Sequence, residues 1–335
     1  MNQVQVSILI PFKNTASYLP ECMDSIIRQT YTQWEVIAIN DHSTDNSLKI
    51  MRNFEITDRR IKVLNNNGVG IIEALRSAYE MSKGVFITRM DSDDIMAGER
   101  LAFMVNQLLR HGKGHIAIGQ VHYFSARGIS SGYHRYEKWL NKLTKKGMNF
   151  KEVYKECVIP SPCWLVHRED LDACKAFEPN RYPEDYDLTF RFYERGLICI
   201  PCDKVLLHWR DYDTRTSRTS KHYAQNYFLD IKLHYFLKLD WDSNKALTVW
   251  GAGNKGKTIA KLLINQSIPF YWVCNNPKKI GKDIYAQKLF NFDKLKSLHN
   301  PQTIVTVANE EDQLFIKRYF SELNLKSMHD YFFFC

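Results

Sequence analysis

No apolar run in this 335-residue chain approaches the roughly 20 residues that cross a bilayer, so a membrane-spanning helix is not expected. The opening MNQVQVSILI has no basic residue ahead of its short apolar stretch, which argues against a signal peptide and for a cytoplasmic location. A disulfide framework is also missing: eight cysteines in a chain this long, without the spacing of a small secreted domain, fit a reducing compartment. Cys199 and Cys202 form one C-x-x-C, but no second pair follows at zinc spacing and Cys157, Cys163 and Cys174 are scattered. Structural, unligated cysteines are therefore expected. Nor is there a basic tail. The net charge of +9 is gathered in KWLNKLTKKG, RDYDTRTSRTSKH and NPKKIGK. Such clusters suit phosphates, nucleotides or peripheral contact with an anionic membrane surface on its cytoplasmic face, and equally a solvated basic face. Nucleic acid is not an expected partner.

What the chain does have is 44% hydrophobic residues, ordinary for a globular protein, and a length that suits two domains. QVSILIPF reads as a buried strand, SYLPECMDSIIRQTY as a helix by its apolar spacing, and WEVIAIND as a second strand. A helix in NSLKIMRNFEI, a strand in IKVLNN, a helix in GIIEALRSAYEMSKG and the strand GVFITRM continue the alternation. The first hundred residues thus predict a mostly parallel sheet with helices on both faces, whose ligands bind beyond the carboxyl ends of the strands. Three polar clusters stand at those ends: Lys13-Asn14-Thr15, Asp41-His42-Ser43-Thr44-Asp45 and Asp91-Ser92-Asp93-Asp94. Any one alone reads as a helix N-cap, a role open to Asp45 and Asp94. Three together exceed what capping requires and should converge on one crevice.

The last cluster, within RMDSDDIM, sets three carboxylates in four residues, where each raises the pKa of the others unless a cation or a hydrogen-bonded turn offsets the repulsion. Asp91 and Asp93 form a D-x-D whose oxygens suit Mg²⁺ or Mn²⁺. VSILIPFKN, INDHSTDNS and ITRMDSDDIMAGERL resemble the family 2 glycosyltransferases, nucleotide-sugar-dependent enzymes of the GT-A fold, and EDYDLTFRFYERG resembles their later Glu-Asp motif. The likeness covers roughly residues 4–225 in the expected order. KVLLHWRDYDTRTSRTSKHY with NYFLDIKLHYFLK is similar to the subgroup that includes the animal beta-1,3-N-acetylglucosaminyltransferase-like proteins.

The resemblance implies that Asp93 binds the metal directly and that Asp91 contacts the ribose or the metal, with Ser92 between them on the donor. Asp94 would cap the following helix or hold the loop. It assigns Asp41 to the ring N–H of a uracil base, with Pro11, Phe12 and Asn14 forming the other wall of that pocket. Many family members carry an Arg at the position of Leu75; this chain has Arg76 one residue on, a candidate donor contact. An inverting transferase needs a base for the proton of the attacking acceptor hydroxyl, and a carboxylate within hydrogen-bond reach is suitable. By resemblance Asp185 is that base, with Glu184 touching the donor sugar or the acceptor, although acids also favour a helix N-terminus as such. Trp209, Arg210, Arg215 and Arg218 have the composition to close over a diphosphate, Arg binding it bidentately. His208 is a candidate third metal ligand, or a structural histidine beside a tryptophan.

After HYFLKLDWDSNK the pattern restarts. KALTVWGAGNKGKTIAKLLINQSIPFYWVCNN reads as strand, Gly-rich turn, helix and strand, with Gly251, Gly253 and Gly256 in G-x-G-x-x-G spacing. The next strand ends in Cys274 and Asn275, where a dinucleotide site carries an acid for the ribose. QTIVTVAN and a helix from about Glu311 to Leu323 complete the unit. The expectation is an α/β chain: a GT-A domain over 1–238 and a smaller Rossmann-like domain over 239–335 that packs or assembles, or binds a nucleotide or anion. The function expected is metal-dependent, inverting transfer of a hexose or N-acetylhexosamine from a UDP-sugar to a glycan or lipid-linked glycan hydroxyl, with Mn²⁺ or Mg²⁺ as cofactor. The rival readings are an NAD-dependent sugar-nucleotide oxidoreductase and a nucleotide-binding module without catalysis.

Overall fold

The computed structural model describes residues 5–215, 218 and 228–335. The chain divides into two compact units, one of Met1–Phe150 with Cys157–Arg215 and one of Lys151–Glu156 with Thr216–Cys335.

The first unit contains strands β1 (Val6–Phe12), β2 (Trp34–Asn40), β3 (Ile61–Asn65), β4 (Phe86–Arg89), β5 (Ile95–Met96), β6 (His115–Ile118), β7 (Gln120–Phe124), β8 (Trp164–His167), β9 (Ile198–Ile200) and β10 (Val205–Arg210). Seven of them form a sheet in the order β3-β2-β1-β4-β8-β6-β9. Strands β1 to β4 run parallel, and β8 is antiparallel to both of its neighbours. All seven residues of β1, VSILIPF, are buried, as a continuous apolar run demands when both faces of a strand are covered. Helix Ile71–Met81 packs on β1 and β2, while Leu19, Met23 and Ile26 of helix Leu19–Ile27 join the core against Val6, Ile8 and Ile10. Each such aliphatic side chain contributes about 1.5–3 kcal/mol by leaving water.

This topology positions the site. Parallel pairing in the register Phe12↔Asn40 and Leu9↔Arg89 brings the carboxyl ends of β1, β2 and β4 to one edge. A second, three-stranded sheet, β5-β10-β7, sets His208 of β10 opposite Ile95, so β10 ends beside the loop that carries the carboxylates. Helix Glu184–Glu194 lies almost wholly inside: eight of its eleven residues are buried, including Asp187 and Arg191. That pair is tolerated because Arg191 Nε donates to Asp187 Oδ2 at 2.8 Å and Arg191 Nη1 to the Ala176 carbonyl at 2.7 Å.

In the second unit β11 (Ala246–Trp250), β12 (Tyr271–Cys274), β13 (Asp283–Ile284), β14 (Gln287–Asn291), β15 (Pro301–Val305) and β16 (Tyr331–Phe333) form a sheet in the order β13-β14-β12-β11-β15-β16. It is parallel except for the β13–β14 hairpin, the pattern of a small Rossmann-like unit. Helix Leu229–Leu239, expected in the first domain, belongs here. The buried Lys232 amine donates to the carbonyls of Lys155 and Phe334, and Phe236 packs its ring on Tyr154, Phe332 and Phe334. By compactness this unit takes in helix Leu229–Leu239 and Lys151–Glu156.

The Gly-rich turn is explained largely by close approach. A Cβ on Gly256 would stand 1.9 Å from the Gly251 carbonyl oxygen, and Gly251 itself has φ +125° with Thr306 Oγ1 2.5 Å from where its Cβ would be.

Candidate functional site

The loops after β1 and β2 are tied together by side chains that the parallel register brings level. Asn14, at φ 51°, accepts from the Thr44 amide at 2.8 Å, and its own amide donates to Ser43 Oγ at 3.1 Å. The Thr15 amide donates to Ser47 Oγ at 2.8 Å and the Ala16 amide to Asp45 Oδ2 at 3.0 Å. Asp45 also accepts from the Ser47 amide at 2.9 Å, but the N-cap of helix Ser47–Thr57 is Asn46, so Asp45 ties the loop and is not the cap. Thr15 Oγ1 lies 3.0 Å from Ser92 Oγ and joins this pair of loops to the carboxylate loop. The three clusters thus meet at one edge.

Asp41 is buried behind them. Its Oδ1 accepts from Asn66 Nδ2 at 2.8 Å and from the Gly70 amide at 2.9 Å, and Lys13 Nζ lies 3.3 Å from Oδ2. Burial alone would raise its pKa, but the Gly70 and Asn66 donors and the Lys13 charge outweigh it and hold the carboxyl below its ordinary value. It is a prepaid anion, with Oδ2 the less occupied oxygen.

In the carboxylate loop the burdens are divided. Asp91 Oδ1 accepts from Arg89 Nε at 2.9 Å. Asp93 Oδ2 accepts from the Tyr212 hydroxyl at 2.8 Å, and its backbone carbonyl accepts from Arg210 Nε at 2.8 Å. Asp94 is wholly buried; Oδ1 accepts from the Arg210 amide at 2.8 Å and pins β10 to the loop, while Oδ2 has no hydrogen-bond partner among the described residues. It holds the loop and caps no helix, Glu99 being the residue ahead of helix Arg100–His111. Burial first and then Asp93 push Asp94 well above the ordinary carboxyl value, and burial raises Asp93, with Arg215 opposing and Asp91 adding to the shift. A patch of hard oxygen donors whose charges raise one another fits a divalent cation. Among the described residues no group of three or more His, Cys, Asp or Glu side chains is placed to hold a metal ion by itself.

Arg89, at the end of β4, is 6% exposed and spans two acids: besides Asp91, its Nη1 donates to Glu184 Oε1 at 2.8 Å. Glu184 and Asp185 open helix Glu184–Glu194, and with Arg89, Ser161, Trp164 and Phe177 they line a narrow pocket. Burial, followed by the neighbouring Glu184 charge, pushes Asp185 up to about 7 against the pull of Arg89. Such a carboxyl is protonated or not according to small changes near neutral pH, as a general base requires.

The remaining expected residues fall as follows. Pro11 and Phe12 are inside β1, and the Phe12 ring lies in the core, so only the backbone of that pair faces the crevice. Arg76 is committed elsewhere: Nη2 donates to the Glu178 carbonyl and Asn180 Oδ1, both at 2.8 Å, and Nη1 to Glu73 at 2.6 Å. His208 sets its ring 6.0 Å from that of His122, and burial and that neighbour lower its pKa. Neither is brought to the carboxylates by any bond among the described residues. Trp209 stacks on Tyr123 at 4.9 Å, and the Arg215 guanidinium lies 5.2 Å over the Trp209 ring, its charge felt by Asp91, Asp93 and Asp94. Arg210 also pairs with Glu21. Arg218 is exposed, and the chain on either side of it lies outside the described residues. Sequence reasoning missed Arg89, Tyr212 and the fully buried Arg100, whose Nη2 donates to Thr88 Oγ1 at 2.9 Å beneath the loop. Only Arg89 carried a signal, as a charge inside an otherwise apolar strand.

Known proteins share this fold. The fold resembles that of S. aureus TarS residues 1–349 in complex with UDP-GlcNAc, with TM-score 0.56 and 18% identity over 71% of this chain and 68% of that one. It also resembles the mannosyltransferase PcManGT of Pyrobaculum calidifontis in complex with GDP-Man and Mn²⁺, with TM-score 0.52 and 18% identity over 70% and 63% of the two chains. In sequence it is 30% identical over 212 residues to glycosyltransferase GlyA of Streptococcus pneumoniae, covering 62% of this chain and 30% of that one. It is 33% identical over 113 residues to the Escherichia coli enzyme WfgD, named UDP-Glc:alpha-D-GlcNAc-diphosphoundecaprenol beta-1,3-glucosyltransferase, covering 33% and 44%. The match thus spans less than half the length of either relative. The family model described as glycosyl transferase family 2 matches residues 7–174, half of the chain, and includes the three loops and the D-x-D. With a GT-A fold followed by a smaller Rossmann-like unit, the chain belongs to glycosyl transferase family 2.

Proposed function

We propose that this chain moves a hexose or N-acetylhexosamine from a UDP-sugar to the hydroxyl of a glycan or lipid-linked glycan, with inversion at the anomeric carbon. The observation that carries the reading is Asp185, a carboxyl pushed up to about 7 beside Glu184 and within one chain of contacts, through Arg89, of Asp91. Asp185 takes the acceptor proton as the new bond forms, and Glu184, held by Arg89, orients the sugar. Asp91 and Asp93 hold Mn²⁺ or Mg²⁺, which when bound offsets their repulsion and the charge of the leaving diphosphate. Asp41, kept ionised by Gly70 and Asn66, accepts from the base through Oδ2, with Asn14 and the backbone of Pro11 and Phe12 opposite. Arg215 and Arg210 take the diphosphate.

Support for a UDP donor comes from TarS, whose complex contains UDP-GlcNAc, and for a lipid-linked acceptor from the name of WfgD. No described helix is long and apolar enough to cross a membrane. Arg135, Lys138, Lys142, Lys145 and Lys146 line the exposed side of helix Ser131–Lys146, a face suited to peripheral contact with anionic headgroups from the cytoplasm. The second unit serves packing or assembly.

The test is a thermal-shift screen of UDP-GlcNAc, UDP-Gal, UDP-Glc and GDP-Man with Mn²⁺, and of NAD. A ligand that binds only the folded state raises the melting point. One or more UDP-sugars should do so only with Mn²⁺; stabilisation by NAD alone would favour the oxidoreductase reading instead.

A further inference from the structure

We infer that Tyr212, together with Arg215, stands in the cation's place on Asp93 and must yield it for the metal and the diphosphate to bind as a pair. The inference rests on the reading of Asp93 as a metal ligand. The Tyr212 hydroxyl donates to Asp93 Oδ2 at 2.8 Å, and its ring is held 4.5 Å from that of Tyr18, in the stretch that follows β1. Tyr212 thereby spans the same two loops that a bound donor would bridge. Arg215, stacked over Trp209, adds its positive charge to the three carboxylates, of which Asp91 already holds Arg89, while Asp94 Oδ2 is buried and has no hydrogen-bond partner among the described residues.

The chemistry makes this arrangement exclusive. A carboxylate oxygen that accepts a phenol O–H is a poorer metal ligand, and a guanidinium within the same patch repels a divalent cation. Once Asp93 and Asp91 are neutralised by a metal, their pull on Arg215 weakens and a diphosphate becomes the better partner, since the planar fork of Arg215 matches it bidentately. Tyr212 and Arg215 therefore couple the two ligands: metal alone binds weakly, nucleotide alone finds Arg215 engaged, and each relieves the cost of binding the other.

The experiment is Mn²⁺ binding to the full chain, read from the spin-resonance signal of free Mn²⁺, without and with UDP. Tyr212→Phe keeps the ring against Tyr18 and removes only the hydroxyl. It should tighten binding of Mn²⁺ alone by roughly tenfold, the worth of one hydrogen bond to a charged group that no longer has to be broken, and shrink the enhancement by UDP accordingly. Tyr212→Leu, checked for fold by circular dichroism, should tighten it likewise. Mn²⁺ affinity unchanged or weakened in both variants would overturn the inference. Asp93→Asn separates the two failures. If it abolishes Mn²⁺ binding while the Tyr212 variants behave as wild type, the metal assignment stands and the exchange alone is wrong; if it binds Mn²⁺ as wild type, Asp93 is no ligand and the inference falls with that assignment.

Discussion

Asp185 and Arg89 make opposite demands on the same buried patch, and each yields a measurable consequence. Because the folded-state pKa of Asp185 is raised from 3.8 to about 7, the folded chain keeps a proton between those values that the unfolded chain has lost. Stability linked to this group is therefore greatest below pH 4, falls as the pH rises through that window and is level above it. Asp185→Asn should remove the decline, so that its melting point relative to wild type is higher at pH 8 than at pH 5. The catalytic sign is reversed: a base works only when deprotonated, so transfer should rise with pH and level off above about 7, a limb that Asp185→Asn abolishes along with some 10²- to 10⁴-fold of rate. Arg89→Met leaves Asp91 and Glu184 facing each other with no cation between them. Breaking a buried pair from one side costs about 3–5 kcal/mol, visible as a lowered urea midpoint; a midpoint within error of wild type would show that water or backbone groups satisfy those acids. The D-x-D, Asp41 and the Glu-Asp pair were legible in the sequence because each is a dense polar cluster at the end of an apolar run. Tyr212 was not, since a tyrosine between two aspartates in a basic segment carries no mark of the carboxylate 119 positions earlier that it caps.

At the level of elements, the strands were legible where burial on both faces forces an unbroken apolar run, as in β1 and β2, and where a Gly-rich turn follows, as after β11. The hairpin of β13 and β14 and the edge strand β16 were not. Their residues alternate or are uniformly aromatic, and pairing with β12 and β15 makes them strands. The same limit hid the burial of helix Glu184–Glu194, whose charged residues are paired internally rather than solvated. The Gly-rich turn illustrates a motif with two physical origins. Its spacing fits phosphate binding, yet Gly256 is required by the approach of helix Asn254–Asn265 to the end of β11. Gly256→Ala should destabilise the second unit by about 1–3 kcal/mol through overpacking, seen as a shifted melting transition, while Mn²⁺-dependent UDP binding at the first unit persists. Loss of UDP binding in a folded variant would place nucleotide recognition in the second unit.

For the whole molecule, the charge of +9 has a role if the acceptor is carried by a lipid. Sedimentation with phosphatidylserine vesicles should be strong at low salt and fall as salt is added, each basic residue near the surface contributing about 1 kcal/mol. Lys138→Glu with Lys142→Glu should weaken it, and equal binding by the variant would remove helix Ser131–Lys146 from any membrane contact. The metal pair, Asp41 and Asp185 matter to the account only if they combine in one act, displacement of UDP from the sugar by an acceptor hydroxyl whose proton Asp185 removes. A single attack from the side opposite the leaving group inverts the anomeric carbon, whatever the sugar and acceptor prove to be. The most direct test is the anomeric configuration of the first-formed product, read by proton NMR during turnover of an α-linked UDP-sugar. The account predicts a β-linked product from the earliest time point; an α-linked product would contradict it, because retention needs two displacements and a nucleophile in place of a base.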